Sequence, residues 1–192
     1  MKLSALRSKL IFGIQDVLEA GGLSAASAHV LCSRCVKDGR MLRLKRDAYV
    51  LADRWEHYGS RELIEIANRL QVPSYLSLTT ALACHGMTTQ VQPSCYESVS
   101  LRRSTALEAG GVSFLYHKLQ RGLYFGFERK DGIFIAEPEK AVLDGAYLEF
   151  LGHAGIDWDA LDRRKLNRKR MEKYLAAYPA RLQQRMRETC GI

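Results

Sequence analysis

Between Ile14 and Leu51 the apolar positions recur first with a helical period and then with a strand period. Ile14 to Ala20 is a short apolar segment that ends at Gly21-Gly22. A second helix is predicted to open at Ser24, whose hydroxyl can accept an orphan backbone N–H of the first turn. It closes at Gly39, which enters the left-handed region without a Cβ clash. Inside it, Ala28, Cys32, Cys35 and Val36 fall at i, i+4, i+7 and i+8, one stripe for a core. At about 100° per residue the opposite face carries Ala26, Ser27, Val30, Arg34 and Lys37. Two short strands follow, Met41 to Leu44 and Ala48 to Leu51, joined by Lys45-Arg46-Asp47. If Leu42 and Leu44 face inward, Arg43 between them points outward. Helix, turn, helix and basic hairpin in this order is the layout of a winged helix-turn-helix, a DNA-binding unit.

Around this unit the periodicity predicts an α+β chain. Ser4 to Phe12 reads as a first helix that would complete a three-helix core, with Gly13 ending it. Asp53 to Tyr58 is polar, and Ser60 is expected to cap a helix to Leu70 with Leu63, Ile64, Ala67 and Leu70 on one face. Gln71-Val72-Pro73 ends that helix, because a residue before proline avoids the α region. Beyond it come a short strand at 74–77, a helix from Leu78 to His85 and a loop from Val91 to Pro93. Strands are expected at Glu97 to Leu101 and Val112 to Leu119, with Gly110-Gly111 as the turn between them. Tyr124 to Arg129 and Gly132 to Ala136 read as a hairpin across Lys130-Asp131-Gly132. Pro138 suits the first position of a helix running to about Phe150, and Glu139 suits the positive end of its dipole. The last forty or so residues read as helical, basic and broken at Pro179. The expected organisation is therefore a winged helix-turn-helix at 1–52 and a connector helix at 53–72. At 73–192 an α+β domain follows, with a small antiparallel sheet and a basic helical tail. The polar connector lacks the signature of a shared core, so the two larger units are expected to be separable.

Charge sharpens this picture. The net charge of +8 is uneven: residues 1–51 carry +5, 52–150 carry −2 and 151–192 carry +5. Basic ends favour a polyanion such as nucleic acid. No apolar run reaches membrane-spanning length, and Arg7 and Lys9 interrupt the N-terminus where a secretory signal would need its apolar region. Five irregularly spaced cysteines fit reduced cytosolic thiols better than a disulfide framework.

The candidate DNA contacts are Ser24, Ser27, Arg34 and Lys37 on the second helix and Arg43, Lys45 and Arg46 on the hairpin. Short side chains near a helix N-terminus allow close approach to base edges, and the cations can meet phosphate. A second basic surface is Arg164, Arg168, Lys169 and Arg170, within a run whose plainer reading is a solvated helix face. Cys32-x-x-Cys35 has the spacing of half a zinc knuckle, but no second pair completes four ligands, and small thiols pack well on an apolar stripe. Cys84 and His85 are adjacent on a helix and point about 100° apart, which disfavours a nucleophile–base pair. Gly152-His153-Ala154-Gly155 has a GxxG form without the βααβ context of a KH domain. The Glu137-to-Lys140 segment is better explained as helix initiation than as a nuclease carboxylate–lysine set. No constellation asks for catalysis or for a cofactor.

Several short motifs occur in order: YLSLTTALACHGM at 75–87, SVSLRR at 98–103, GGVSFLYHKL at 110–119, YFGF at 124–127 and IAEPEKAVLDGAYL at 135–148. Together with the N-terminal layout they resemble the AbiEi-type antitoxin family of abortive-infection toxin–antitoxin pairs. The resemblance covers most of the chain except about the last forty residues. The chain departs from the family pattern at Glu137, where a small hydroxyl residue is more usual, and at Asp47, where glycine is common. The resemblance implies a cytoplasmic bacterial repressor of its own operon that counters a nucleotidyltransferase-like toxin encoded beside it. An operator of inverted half-sites would call for two copies on one duplex. A second hypothesis of a different class is a protein–protein module that uses the winged helix to dock a partner.

Overall fold

The computed structural model describes residues 3–90, 92–153 and 155–190; Val91 of the expected loop and Ala154 of the GxxG tetrapeptide lie outside the described residues. The chain is mixed α+β. Helix α1 spans Ile14–Gly21 and α2 Ala25–Lys37. Strand β1 spans Met41–Lys45 and β2 Ala48–Leu51, an antiparallel hairpin. The caps act as their chemistry predicts. Ser24 Oγ accepts the Ser27 N–H at 3.2 Å, and Gly22 and Gly39 take positive φ beyond the two helix ends. Ala28, Cys32 and Cys35 are buried, so the apolar stripe faces the core, with Val36 only partly covered.

The expected first helix is cut short. A 3-10 turn covers Leu3–Leu6, and Phe12 is extended and paired with Tyr49 on β2. The Phe12 N–H donates to the Tyr49 carbonyl at 3.0 Å, and the Tyr49 N–H returns a bond to the Phe12 carbonyl at 2.8 Å. The hairpin edge thus supplies backbone partners that a helix would have had to supply internally.

The connector contains a one-turn helix, α3, at Ala52–Trp55, and α4 at Ser60–Leu70. Gly59, not Ser60, is the N-cap of α4, because the Glu62 carboxylate reaches back to accept the Gly59 N–H at 3.0 Å. Six further strands make the larger sheet: β3 Ser74–Leu76, β4 Cys95–Ser100, β5 Thr105–Ala109, β6 Val112–Lys118, β7 Phe127–Lys130 and β8 Ile133–Ala136. Their order is β5-β6-β4-β3-β8-β7. The expected small antiparallel sheet is therefore larger and mixed: β4 runs parallel to β6, and β3 parallel to β8. The reason lies at Gly110-Gly111. Both take positive φ and turn β5 into β6, so β4 and β6 are separated by an intervening strand and run in one direction. The β7–β8 turn lies within the expected Lys130-Asp131-Gly132 segment but is narrowed to Asp131 and Gly132, both at positive φ, the requirement of a type I′ hairpin, and the strand expected from Tyr124 begins only at Phe127.

Helix α5 covers Leu78–Cys84, and α6 covers Pro138–Phe150 with every residue from Glu139 to Leu148 buried. The tail is not an appendage. Helices α7, Arg168–Leu175, and α8, Ala180–Cys190, cover α6 through Met171, Leu175, Leu182 and Met186, all buried.

The expectation of an unshared core does not hold. Leu44, Ala48 and Val50 of the hairpin belong to the same buried cluster as Trp55, Leu63 and Leu70 of the connector and Phe114 of β6. A second cluster fills the space between α1, α2 and the other side of the hairpin. The hairpin is thus packed on both faces. Among the described residues no helix is long and apolar enough to cross a membrane.

Candidate functional site

On α2 the residues turned from the core are Ala26, Ser27, His29, Val30, Ser33, Arg34 and Lys37, all exposed. The outward face expected from the periodicity is present. Ser24 and Ser27 hydroxyls lie 3.0 Å apart and bond to each other, so these two groups arrive partly satisfied at the helix N-terminus. Arg34 and Lys37 have no hydrogen-bond or ion-pair partner among the described residues. Val30 is 52% exposed beside Ala26, Ser27 and Arg34, an apolar side chain held in solvent in a shallow depression. His29 and Ser33 were not among the sequence candidates. Together with Arg43 and Arg46 they line a groove of about 290 Å³ between α2 and the hairpin. Their position flanking the outward face was readable at 100° per residue; that the hairpin lies on that flank was not.

The hairpin cations separate into two kinds. Arg43 is exposed as expected, and its Nε donates to the Lys45 carbonyl at 3.3 Å across a register shift in the strand. Arg46 is exposed in the turn without a side-chain partner among the described residues. Lys45, expected at the tip, instead donates its ammonium to the Leu70 carbonyl at the C-terminus of α4, where the helix dipole is negative. Its charge is already engaged by the connector.

Asp47 has a structural task. It takes φ +55°, and its Oδ1 accepts the Ile14 N–H at 2.6 Å, capping the first turn of α1. The side chain thus ties the hairpin turn to the helix packed beside α2. Asp47→Ala is expected to lose about 1 kcal/mol of stability, the usual worth of such a cap, while Asp47→Asn, which keeps the acceptor and tolerates positive φ, stays near the parent. Urea melts of the three proteins check this, and equal midpoints for Asp47→Ala and the parent would deny the cap its role.

The second basic surface is mostly neutralised from within. Arg164 pairs with Asp162 at 3.0 Å, Arg168 with Glu172 at 3.4 Å, and Arg170 with Glu137 and Glu139 at 3.4 Å each. Lys165 donates to the Gly86 carbonyl at 2.6 Å. Lys169 has no partner among the described residues. Glu137, where a hydroxyl would cap α6, instead accepts the Tyr174 hydroxyl and so joins α6 to α7.

One charged constellation was missed altogether. Lys140 and Asp144, one turn apart on α6, form an ion pair with no exposure of either side chain. Lys140 Nζ also donates to Tyr178 Oη at 2.7 Å and lies over the rings of Phe125, Tyr178 and Tyr75 at 5.1–5.9 Å. Asp144 Oδ2 accepts from Ser77 at 2.8 Å and from Tyr75 at 3.0 Å. Burial pulls the Lys140 ammonium below the ordinary lysine value, while the adjacent Asp144 carboxylate opposes that shift. Desolvation and the same carboxylate push the Tyr75 and Tyr178 hydroxyls well above their usual range. With both charged side chains fully buried, the pair acts as a structural node. The i, i+4 spacing of a lysine and an aspartate was the available signal.

A cavity of about 260 Å³ lies between α4, α5 and β4, lined in part by Cys84, Cys95 and Glu97. The Glu97 carboxylate accepts the Thr79 N–H at 3.1 Å, and burial raises its pKa. His85 ends α5 and its Nε2 lies 2.8 Å from the Ala136 carbonyl, apart from any arrangement with Cys84. Cys32 and Cys35 are buried in the N-terminal cluster, and among the described residues no three His, Cys, Asp or Glu side chains gather as metal ligands. Compared with protein-family models and with curated proteins, the chain matches none.

Proposed function

We infer that this chain is a DNA-binding transcriptional repressor in which residues 1–52 act as a winged helix-turn-helix. In this reading α2 enters the major groove and the hairpin turn lies against the phosphate backbone. The observation that carries it is the pairing of an outward α2 face, on which Arg34 and Lys37 have no partner among the described residues, with a hairpin on which the Arg46 side chain likewise has none. Charged side chains that find no internal partner are available to phosphates or guanine edges. The exposed Val30 suits a thymine methyl under the same reading. The resemblance of the larger unit to AbiEi-type antitoxins supports a role as the regulator of a toxin–antitoxin operon, opposed to a nucleotidyltransferase-like toxin.

The exposed Val30 also favours the second reading, in which this surface docks a protein. DNA binding separates the two. Affinity is measured by fluorescence anisotropy on duplex DNA from directly upstream of the reading frame and on a scrambled duplex. Arg34→Ala is expected to lose roughly 1–3 kcal/mol on the upstream DNA and to relax discrimination against the scrambled duplex. Equal affinity of Arg34→Ala and the parent for both duplexes would remove α2 from the interface. A nucleotidyltransferase-like reading frame beside this gene is the companion expectation for the antitoxin role.

A further inference from the structure

The hairpin turn does not stand alone. Beside it the end of α4 and the corner after β4 enclose a concavity of about 770 Å³. Five cations line it: Lys45 and Arg46 from the hairpin, Arg69 from α4, and Arg102 and Arg103 from the corner. Among the described residues no carboxylate lines it. Arg69 is paired with Glu65, and Lys45 with the Leu70 carbonyl. Arg46, Arg102 and Arg103 are exposed, and none of their side chains has a partner among the described residues. Like charges gathered on one concave wall repel, and a polyanion relieves that repulsion.

The corner that carries the two arginines is held by its backbone. Gln71 Nε2 donates to the Arg103 carbonyl at 3.0 Å, and the Arg102 N–H donates to Ser100 Oγ at 3.2 Å. The guanidiniums are therefore presented from a braced corner while remaining free themselves. Arginine in such a position grips a phosphate through two parallel N–H donors.

We propose that the hairpin turn and the corner at Arg102-Arg103 form one phosphate-binding surface, so that the larger unit grips the backbone of the same duplex that α2 reads. The proposal rests on the DNA-binding reading, and the shared residue Arg46 makes the two contacts continuous. It gives the shared core of hairpin and connector a consequence: the spacing between Arg46 and the corner is set by buried side chains and not by a loose linker. It also shifts the second basic contact from the C-terminal run, whose charges are largely paired internally, to the corner.

The test uses the full chain, duplex DNA from directly upstream of the reading frame, and a scrambled duplex, each across a series of salt concentrations. Arg102→Gln/Arg103→Gln is expected to weaken both duplexes alike, with the ratio between them kept. The slope of log affinity against log salt should fall by about 2, one released counterion for each lost contact. Arg102→Lys/Arg103→Lys, which keeps both charges, should keep the slope. Unchanged slope and affinity in the glutamine variant, while Arg34→Ala still weakens the upstream duplex, overturns the corner contact and leaves the DNA reading standing. Failure of the parent protein to bind either duplex overturns both. A slope lost equally in the lysine variant also overturns the proposal, since charge would not be the cause.

Discussion

Asp144→Ala is expected to destabilise the protein by about 3–5 kcal/mol, the cost of leaving a buried charge without its partner. Lys140 would remain among Tyr75, Phe125 and Tyr178 with no carboxylate within the cluster to balance it. Against a total stability of about 5–15 kcal/mol, that loss is a large share. The double variant Lys140→Met/Asp144→Leu removes both charges and should recover part of it, because an apolar pair avoids the desolvation cost of the ions but leaves the Ser77, Tyr75 and Tyr178 hydroxyls without these partners. The single variant should also regain stability as pH rises toward 10.5, the ordinary lysine value. The sign follows from proton counting. The buried ammonium already has a lowered pKa, loss of the opposing carboxylate lowers it further, and over that window the unfolded chain holds the extra proton. Urea melts at neutral and alkaline pH measure this. A melt of Asp144→Ala within 1 kcal/mol of the parent, by the same linear extrapolation, would mean the pair is not the node described.

Trp55→Ala should cost a comparable 3–5 kcal/mol and change the shape of the transition. Trp55 packs edge-on against Phe114 of β6 and Tyr58, and its Nε1 donates to the Gly110 carbonyl at 3.2 Å. It stands where the hairpin, the connector and the large sheet share one cluster. The parent is expected to unfold in one cooperative step, since the two units have no separate interiors at this boundary. Removing Trp55 opens the seam, so the N-terminal helices and the large sheet should then melt apart. Gly110→Ala tests the same contact from the other side: an added Cβ would lie 2.2 Å from Trp55 Nε1 and would also sit at φ +52°. Two separate transitions already in the parent, or early proteolytic cutting between Leu51 and Pro73 in the folded chain, would show that the seam does not couple the units.

Much of the local structure was legible because its causes are local. The stripe at Ala28, Cys32 and Cys35 determines which face of α2 is buried, and a helix has only one opposite face for Ser27 and Arg34. Pro138 at a first helical position and Asp131-Gly132 in a two-residue turn act through their own φ angles, without reference to the rest of the chain. Those features the residues determined by themselves.

The tertiary structure decided wherever the partner lies far along the chain. Nothing near Gly110 says that the turn joins β5 to β6; that depends on which strand edges remain free, and it makes β4 and β6 parallel. Lys45 reads as a cation at a hairpin tip until the end of α4, twenty-five residues on, offers its carbonyl. Asp47 reads as a turn residue until the N-terminus of α1, thirty-three residues back, needs an acceptor. Arg168 and Arg170 read as one charged run with Arg102 and Arg103 unremarked, yet internal carboxylates meet the first pair, and the second pair has no side-chain partner among the described residues and stands beside the hairpin. Residue types determine which charges exist and which helix faces are apolar; only the packing of distant segments decides which charges are spent within the molecule and which remain for a partner.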